Sequence, residues 1–245
     1  MWRFCKITIS LLLVVCCCLF TSCSLFEIEN KNISTNDNIS ELDVYKSDGQ
    51  ATKFDFQEYT AVFYMSEICS GCMKELPLLE QLQALELQGV NISILFVDTV
   101  PEDKMAPYDL SNIDIFTLNQ KYMFHQSMPY YYAIKDNVVI YDTDSISEFI
   151  DHILSQVSDM EKLKIDTYNK LMQNADTDAE GLYFVDKETA KKEVDVEENM
   201  LWVSNKTTDD FSYQIDDNYG LYQKIFEIDT FPTTIKVEDG KIIKY

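Results

Sequence analysis

Two cysteines three positions apart, Cys69 and Cys72, follow an apolar run at residues 61–65 after a short loop. The thiolate is the reactive form of cysteine, and the free N–H groups at the start of a helix lower the pKa of a thiol placed there. If a helix begins at Cys69, that cysteine is the better nucleophile, and Cys72, one turn further on, can attack the mixed disulfide that forms. The pair therefore predicts thiol–disulfide exchange, with these two cysteines as the catalytic residues.

Two structural roles for this pair, a zinc site and a stabilising disulfide, fit the sequence less well. A structural zinc site takes four ligands, usually Cys or His, and after residue 23 the only further candidates are His125 and His152, far apart in the sequence. A structural disulfide across so short a loop contributes little stability. An inert pair remains an open alternative, and the sequence predicts neither a metal nor a cofactor.

The first 22 residues have the pattern of a secretory signal peptide. Arg3 and Lys6 precede an apolar run at residues 7–20, which is shorter than the roughly 20 residues that a membrane-spanning helix needs. The run ends in Thr21-Ser22-Cys23, which is similar to the lipobox of bacterial lipoproteins and implies that Cys23 is lipidated. Ordinary cleavage and an uncleaved anchor remain open. The polar, Asn-rich residues 23–40 are expected to form a flexible tether.

The charge of the chain limits its partners. With a net charge of −22, the chain lacks the basic surface that nucleic acids and anionic lipids require. A hydrophobic fraction of 46% is that of a folded domain. We therefore expect no nucleic-acid partner, and contact with the membrane through the lipid anchor.

The elements around the cysteines alternate between strand and helix. Continuous apolar runs at residues 61–65 and 92–97 predict buried strands, and regularly spaced leucines predict a helix over residues 69–87. A hairpin over residues 129–142 and an amphipathic helix over residues 145–157 follow. This order predicts an α/β domain over residues 41–158.

A Glu and a Pro stand three and five residues after the second cysteine, as Glu75 and Pro77. This pattern resembles the TlpA/ResA-like branch of the thioredoxin family. Ile68 replaces the usual aromatic residue before the first cysteine, and the Ser-Gly spacer lacks the usual Pro. The resemblance implies a thioredoxin fold, with a central mixed sheet flanked by helices, and reduction of client proteins with electrons from a membrane thiol carrier.

Further site residues follow from this resemblance. In that family a cis-proline loop packs opposite the cysteines, which implies substrate binding by Met128 and Pro129; an ordinary strand-edge proline is the alternative. Glu75 is a candidate proton relay to the buried thiol, with Glu67 as a second candidate. For both carboxylates, a solvated position on the helix is the alternative.

Residues 159–245 predict a second α/β unit. A helix over residues 160–172 precedes strands at residues 181–185 and 200–203, and a hairpin ends the chain. Phe231-Pro232-Thr233 resembles a second cis-proline segment, whereas no cysteine follows the strand at residues 181–185. We expect a second thioredoxin-like domain in tandem, without dithiol chemistry; a lone α/β appendage is the alternative.

Together these patterns predict a lipid-anchored thiol–disulfide oxidoreductase of the cell envelope, outside the cytoplasm. It would exchange disulfides with client proteins, more in the direction of reduction than oxidation. A non-catalytic, client-binding lipoprotein on a thioredoxin scaffold is the main alternative. A peroxidase of the peroxiredoxin type is a weaker one, because Met65 stands where that class has a Thr.

Overall fold

The computed structural model describes residues 32–118, 124–174, 179–186, 200–204 and 214–245. The predicted signal peptide, residues 1–22, and the predicted lipidation site, Cys23, lie outside these residues. Within them, no helix has both the length and the apolar character needed to cross a membrane.

Seven strands form the first sheet, in the order β2-β1-β5-β4-β3-β6-β7. The central strand β3 is buried at all six positions, as expected from its continuous apolar run. It pairs in parallel with β4 and antiparallel with β6. The strands are β1 (Asp43–Lys46), β2 (Ala51–Lys53), β3 (Thr60–Met65), β4 (Asn91–Phe96), β5 (Asp114–Leu118), β6 (Tyr130–Lys135) and β7 (Val138–Thr143).

The helix predicted over residues 69–87 is two helices. Helix α1 (Ser70–Met73) ends at Lys74, and α2 (Leu76–Ala84) begins after Glu75. The break has a local cause, because Pro77 has no N–H to continue the helix and its ring clashes with the carbonyl group four residues earlier. The described residues of this unit contain two further helices: α3 (Glu102–Met105) and α4 (Ile146–Ser155).

The second sheet repeats the arrangement of the first. Its order is β10-β9-β8-β11-β12, with β8, β9 and β10 parallel and β11 antiparallel to both β8 and β12. The strands β5-β4-β3-β6-β7 have the same order and directions. The elements are α5 (Met160–Asn174), β8 (Gly181–Phe184), β9 (Met200–Ser204), β10 (Gln214–Asp216), a 3-10 turn (Asn218–Gly220), α6 (Leu221–Ile225), β11 (Thr233–Glu238) and β12 (Lys241–Lys244).

In both sheets a cis X-Pro bond precedes the antiparallel strand that pairs with the central one. These bonds are Met128–Pro129 before β6 and Phe231–Pro232 before β11. The shared strand order confirms the predicted fold class, a thioredoxin fold with a mixed sheet and flanking helices.

The two sheets face a common layer of helices. Apolar side chains from one face of each sheet and from α2, α4, α5 and α6 form a single contiguous cluster. The predicted boundary between residues 158 and 159 falls between α4 and α5 and stays a prediction. Representative members of the cluster are Phe63, Leu79, Phe149, Ile153, Leu163, Phe184, Val203, Leu221 and Phe226.

On the other face of the first sheet, the described residues include the N-terminal segment 32–40 and no helix. Ile33 and Ile39 are buried there, and their N–H groups donate to the carbonyl oxygens of Phe124 and Asn137 at 2.9 Å. The prediction of a flexible tether over residues 23–40 is therefore wrong for residues 32–40. The overall composition of this stretch is polar, but burial of the two isoleucines is enough to hold it against the sheet.

Candidate redox site

The cysteine pair lies at the carboxyl end of β3, where the chain enters α1. Cys69 is the N-cap residue of α1, and its Sγ accepts a hydrogen bond from the Cys72 N–H at 3.1 Å. The two residues form a disulfide with their Cα atoms 5.3 Å apart. Cys69 is partly exposed, whereas Cys72 is completely buried. An external disulfide can therefore reach the first sulfur only.

Asp98, just beyond β4, holds the loop that leads into the pair. Its carboxylate accepts hydrogen bonds from the Ser66 hydroxyl at 2.6 Å and from the Glu67 N–H at 3.1 Å. The carbonyl oxygen of Glu67, on the same loop, accepts a hydrogen bond from the ammonium group of Lys104 in α3 at 2.8 Å. Asp98 was not predicted from the sequence, although a polar residue directly after a buried parallel strand lies at the sheet edge where sites form.

The Met128–Pro129 loop lies against the cysteines. The carbonyl oxygen of Met128 is 3.4 Å from Sγ of Cys69. A Cβ atom at Gly71 would lie 3.4 Å from Cδ of Pro129 and 3.8 Å from Sγ of Cys69. A Cβ atom at this position would therefore be in ordinary van der Waals contact with the loop and with Cys69.

Glu75 is a buried carboxyl group, only 3% exposed. The Tyr131 hydroxyl donates a hydrogen bond to Oε1, while Oε2 has no hydrogen-bond partner among the described residues. Burial raises the pKa of Glu75 to about 7, against the opposing effect of the Tyr131 hydrogen bond. The group can therefore take up or release a proton near neutral pH.

Glu67 has a different environment. It is only partly buried, and its described hydrogen bonds are made by its backbone. Ile68, by contrast, is an apolar side chain 87% exposed, next to Cys69. The site thus combines one accessible sulfur, one buried sulfur, one buried carboxyl group and an exposed apolar contact.

No family model and no curated relative matches the chain. Among solved structures, the chain is similar to the thioredoxin domain of a thiol-disulfide oxidoreductase from Bacteroides vulgatus, with 14% identity and a TM-score of 0.43 over 52% of this chain and 100% of that one. A thiol:disulfide interchange protein from Bacteroides sp. matches at 15% identity and a TM-score of 0.40, over 52% and 92%.

A peroxiredoxin-like protein from Aquifex aeolicus matches at a similar level, with 12% identity and a TM-score of 0.41 over 51% of this chain and 88% of that one. Likeness at this level does not distinguish one reaction from another. The assignment of the fold rests on the strand order, and the assignment of chemistry rests on the site.

Proposed function

We propose that this protein is a thiol–disulfide oxidoreductase that acts on client proteins through Cys69 and Cys72. The observation that carries the proposal is the inequivalence of the two sulfurs. One sulfur is accessible and accepts a backbone N–H bond, and the other is buried behind it. This is the arrangement that a nucleophile and a resolving thiol require.

In the reducing direction, the thiolate of Cys69 attacks one sulfur of a client disulfide. A Cys69–client disulfide forms, the client bond breaks, and the first client thiolate leaves. Cys72 then loses its proton and attacks Sγ of Cys69, which restores the internal disulfide and releases the second client thiolate. Two electrons pass from the pair to the client, and an external dithiol donor must reduce the pair again.

Glu75 is the group proposed to accept the proton of Cys72. It follows that cysteine by three residues, and its N–H donates to the Cys72 carbonyl oxygen at 3.1 Å. A carboxyl group with a pKa of about 7 can act as a base toward a buried thiol at neutral pH. Met128 and Pro129 are proposed to contact the client, and the exposed side chain of Ile68 adds apolar surface beside them.

The cellular setting is also part of the proposal. The lipobox-like sequence at Cys23 supports anchoring to a membrane outside the cytoplasm, and the family resemblance supports reduction with electrons from a membrane thiol carrier. Cells that express the full chain and are fed an alkyne fatty acid should label the wild type and not a Cys23→Ala variant. Label on the variant would exclude Cys23 as the anchor.

The activity is tested with a disulfide-bonded protein as substrate and dithiothreitol as donor. Wild-type protein and a Ser70→Ala control should accelerate reduction, whereas Cys69→Ser should not. Cys72→Ser should accumulate a mixed disulfide with the client, because the resolving step is lost. If Cys69→Ser matches the wild type in turnover, the chain is not an oxidoreductase, and the client-binding alternative gains support.

A further inference from the structure

The loop that faces the cysteines is held at its first end by the N-terminal segment. This loop, residues 124–129, runs from Phe124 to the cis bond Met128–Pro129. The N–H group of Ile33 donates to the carbonyl oxygen of Phe124 at 2.9 Å, and the Phe124 side chain is buried. Its ring stacks on that of Tyr64, in β3, with the ring centroids 5.8 Å apart. A backbone hydrogen bond and burial therefore both fix the start of the loop.

Asp142, in β7, holds the other end of the loop. Its Oδ2 atom accepts hydrogen bonds from the N–H group and the hydroxyl group of Thr35, at 2.7 and 2.6 Å. Its Oδ1 atom accepts from the hydroxyl group of Tyr130, the residue after Pro129, at 2.8 Å. Partial burial opposes ionisation, but these hydrogen bonds lower the pKa of Asp142 below its ordinary value. One carboxylate therefore connects the N-terminal segment to the residue that follows the cis-proline.

Contacts within the loop extend this connection to Cys69. The His125 ring stacks on that of Tyr130, with the ring centroids 3.8 Å apart, and the N–H group of Ser127 donates to Nδ1 of His125 at 3.1 Å. The next residue, Met128, packs against the apolar clusters on both faces of the first sheet. Its carbonyl oxygen lies 3.4 Å from Sγ of Cys69. A series of direct contacts thus runs from the N-terminal segment to the accessible sulfur.

We propose that Asp142 is a positioning residue of the redox site: it connects the Met128–Pro129 loop to the N-terminal segment and so sets how a client protein aligns with Cys69. The inference rests on the proposed function, in which this loop contacts the client, and deepens it. A protein substrate has to fit against the loop, whereas a small disulfide needs only access to the sulfur. Loss of the connection therefore slows the reaction with a protein more than the reaction with a small disulfide.

The test compares two substrates in single turnovers of the full chain. The reduced protein is mixed either with insulin, a disulfide-bonded protein, or with 5,5′-dithiobis(2-nitrobenzoate), a small disulfide, and the rate constant of each reaction is measured. Asp142→Ala should lower the ratio of the insulin rate to the small-disulfide rate about tenfold, because the loop is no longer held in place. Tyr130→Phe keeps the ring that stacks on His125 and loses the hydroxyl group, and it should lower the ratio as well. Asp144→Ala, which removes an exposed carboxylate two residues away, is the matched control and should keep the wild-type ratio.

A double-mutant cycle checks that the N-terminal segment acts through Asp142. Thr35→Val removes the hydroxyl bond to Oδ2, so it should lower the ratio in the wild-type background and have no further effect in Asp142→Ala. A general loosening of the fold would slow both reactions and leave the ratio as it is. A wild-type ratio in Asp142→Ala or Tyr130→Phe, or additive effects in the cycle, would overturn the inference and leave the proposed function intact. If the reduced wild type reacts with neither substrate, the proposed function fails, and the role of Asp142 fails with it.

Discussion

At the scale of single residues, the site depends on differences in burial between groups of the same kind. Cys69 and Cys72 are both thiols, and Glu67 and Glu75 are both carboxyls, yet one of each pair is buried and the other is not. In a medium of low dielectric constant the charged form of a group is disfavoured, and burial accordingly raises the pKa of Glu75 to about 7.

The first prediction concerns the stability of the Glu75→Gln variant as a function of pH. The pKa of Glu75 rises from 4.5 to about 7 on folding, so between these values the folded state binds more protons than the unfolded state. The stabilisation that comes from this bound proton is complete below pH 4.5 and is lost as the pH rises through 7. The free energy of unfolding of the wild type therefore falls by up to about 3 kcal/mol over this range. Glu75→Gln should lack this loss, because a neutral amide does not titrate.

Urea unfolding at several pH values measures this difference. Glu67→Gln is the matched control and should follow the wild type, because Glu67 is only partly buried. Asp217, whose pKa burial raises to about 6, remains in every variant and cancels in the comparison. Parallel stability curves for Glu75→Gln and the wild type would contradict the burial argument.

At the scale of elements, the sequence predicted the strands and hairpins whose positions follow from a local pattern of residues. The apolar runs that became β3, β4 and β8 were recognised, and the hairpins of each sheet were too, because buried strands and short turns have local signatures. The strands β1, β2 and β5 were missed, since they are short and partly exposed. The bond between Glu75 and Tyr131 joins residues 56 positions apart, and no local pattern reports such a contact.

Gly181, at the start of β8, provides the second prediction. A Cβ atom there would lie 2.7 Å from the carbonyl oxygen of Ile235 and 3.2 Å from Sδ of Met200. The backbone of β11 cannot move away without breaking its pairing with β8, so Gly181→Ala should destabilise the protein by about 1–3 kcal/mol. Gly71→Ala is the control, because its Cβ would meet ordinary contact distances. Equal unfolding midpoints for the two variants would show that the β11 backbone moves to accommodate the added Cβ atom.

At the scale of the whole molecule, the two sheets are joined by their shared core. Helices α2 and α4 of the first unit and α5 and α6 of the second contribute to the same apolar cluster. Burying apolar area between two units makes the stability of each depend on the other. The pattern of charges and motifs along the chain could not reveal this, because each unit alone has the composition of an ordinary α/β domain.

The third prediction is that the chain unfolds in one transition. Hydrogen exchange followed by mass spectrometry in increasing denaturant should show the amides of β3 and β8 losing protection at the same concentration. In Gly181→Ala, whose lesion lies in the second sheet, both strands should shift together. Loss of protection in β8 while β3 stays protected would establish two independent folding units.

The matching strand orders of the two sheets have an evolutionary consequence. A chain that carries one topology twice, with one cysteine pair, has the form of a tandem duplication in which the first copy kept the original task. Selection on the second copy then acts on the role that it retains, which is its packing against the first copy. Among natural homologues, Phe231 and Pro232, now without a thiol pair to face, should drift freely. The turn Asn218–Gly220, which packs on helices α2 and α4 of the first copy, should be retained.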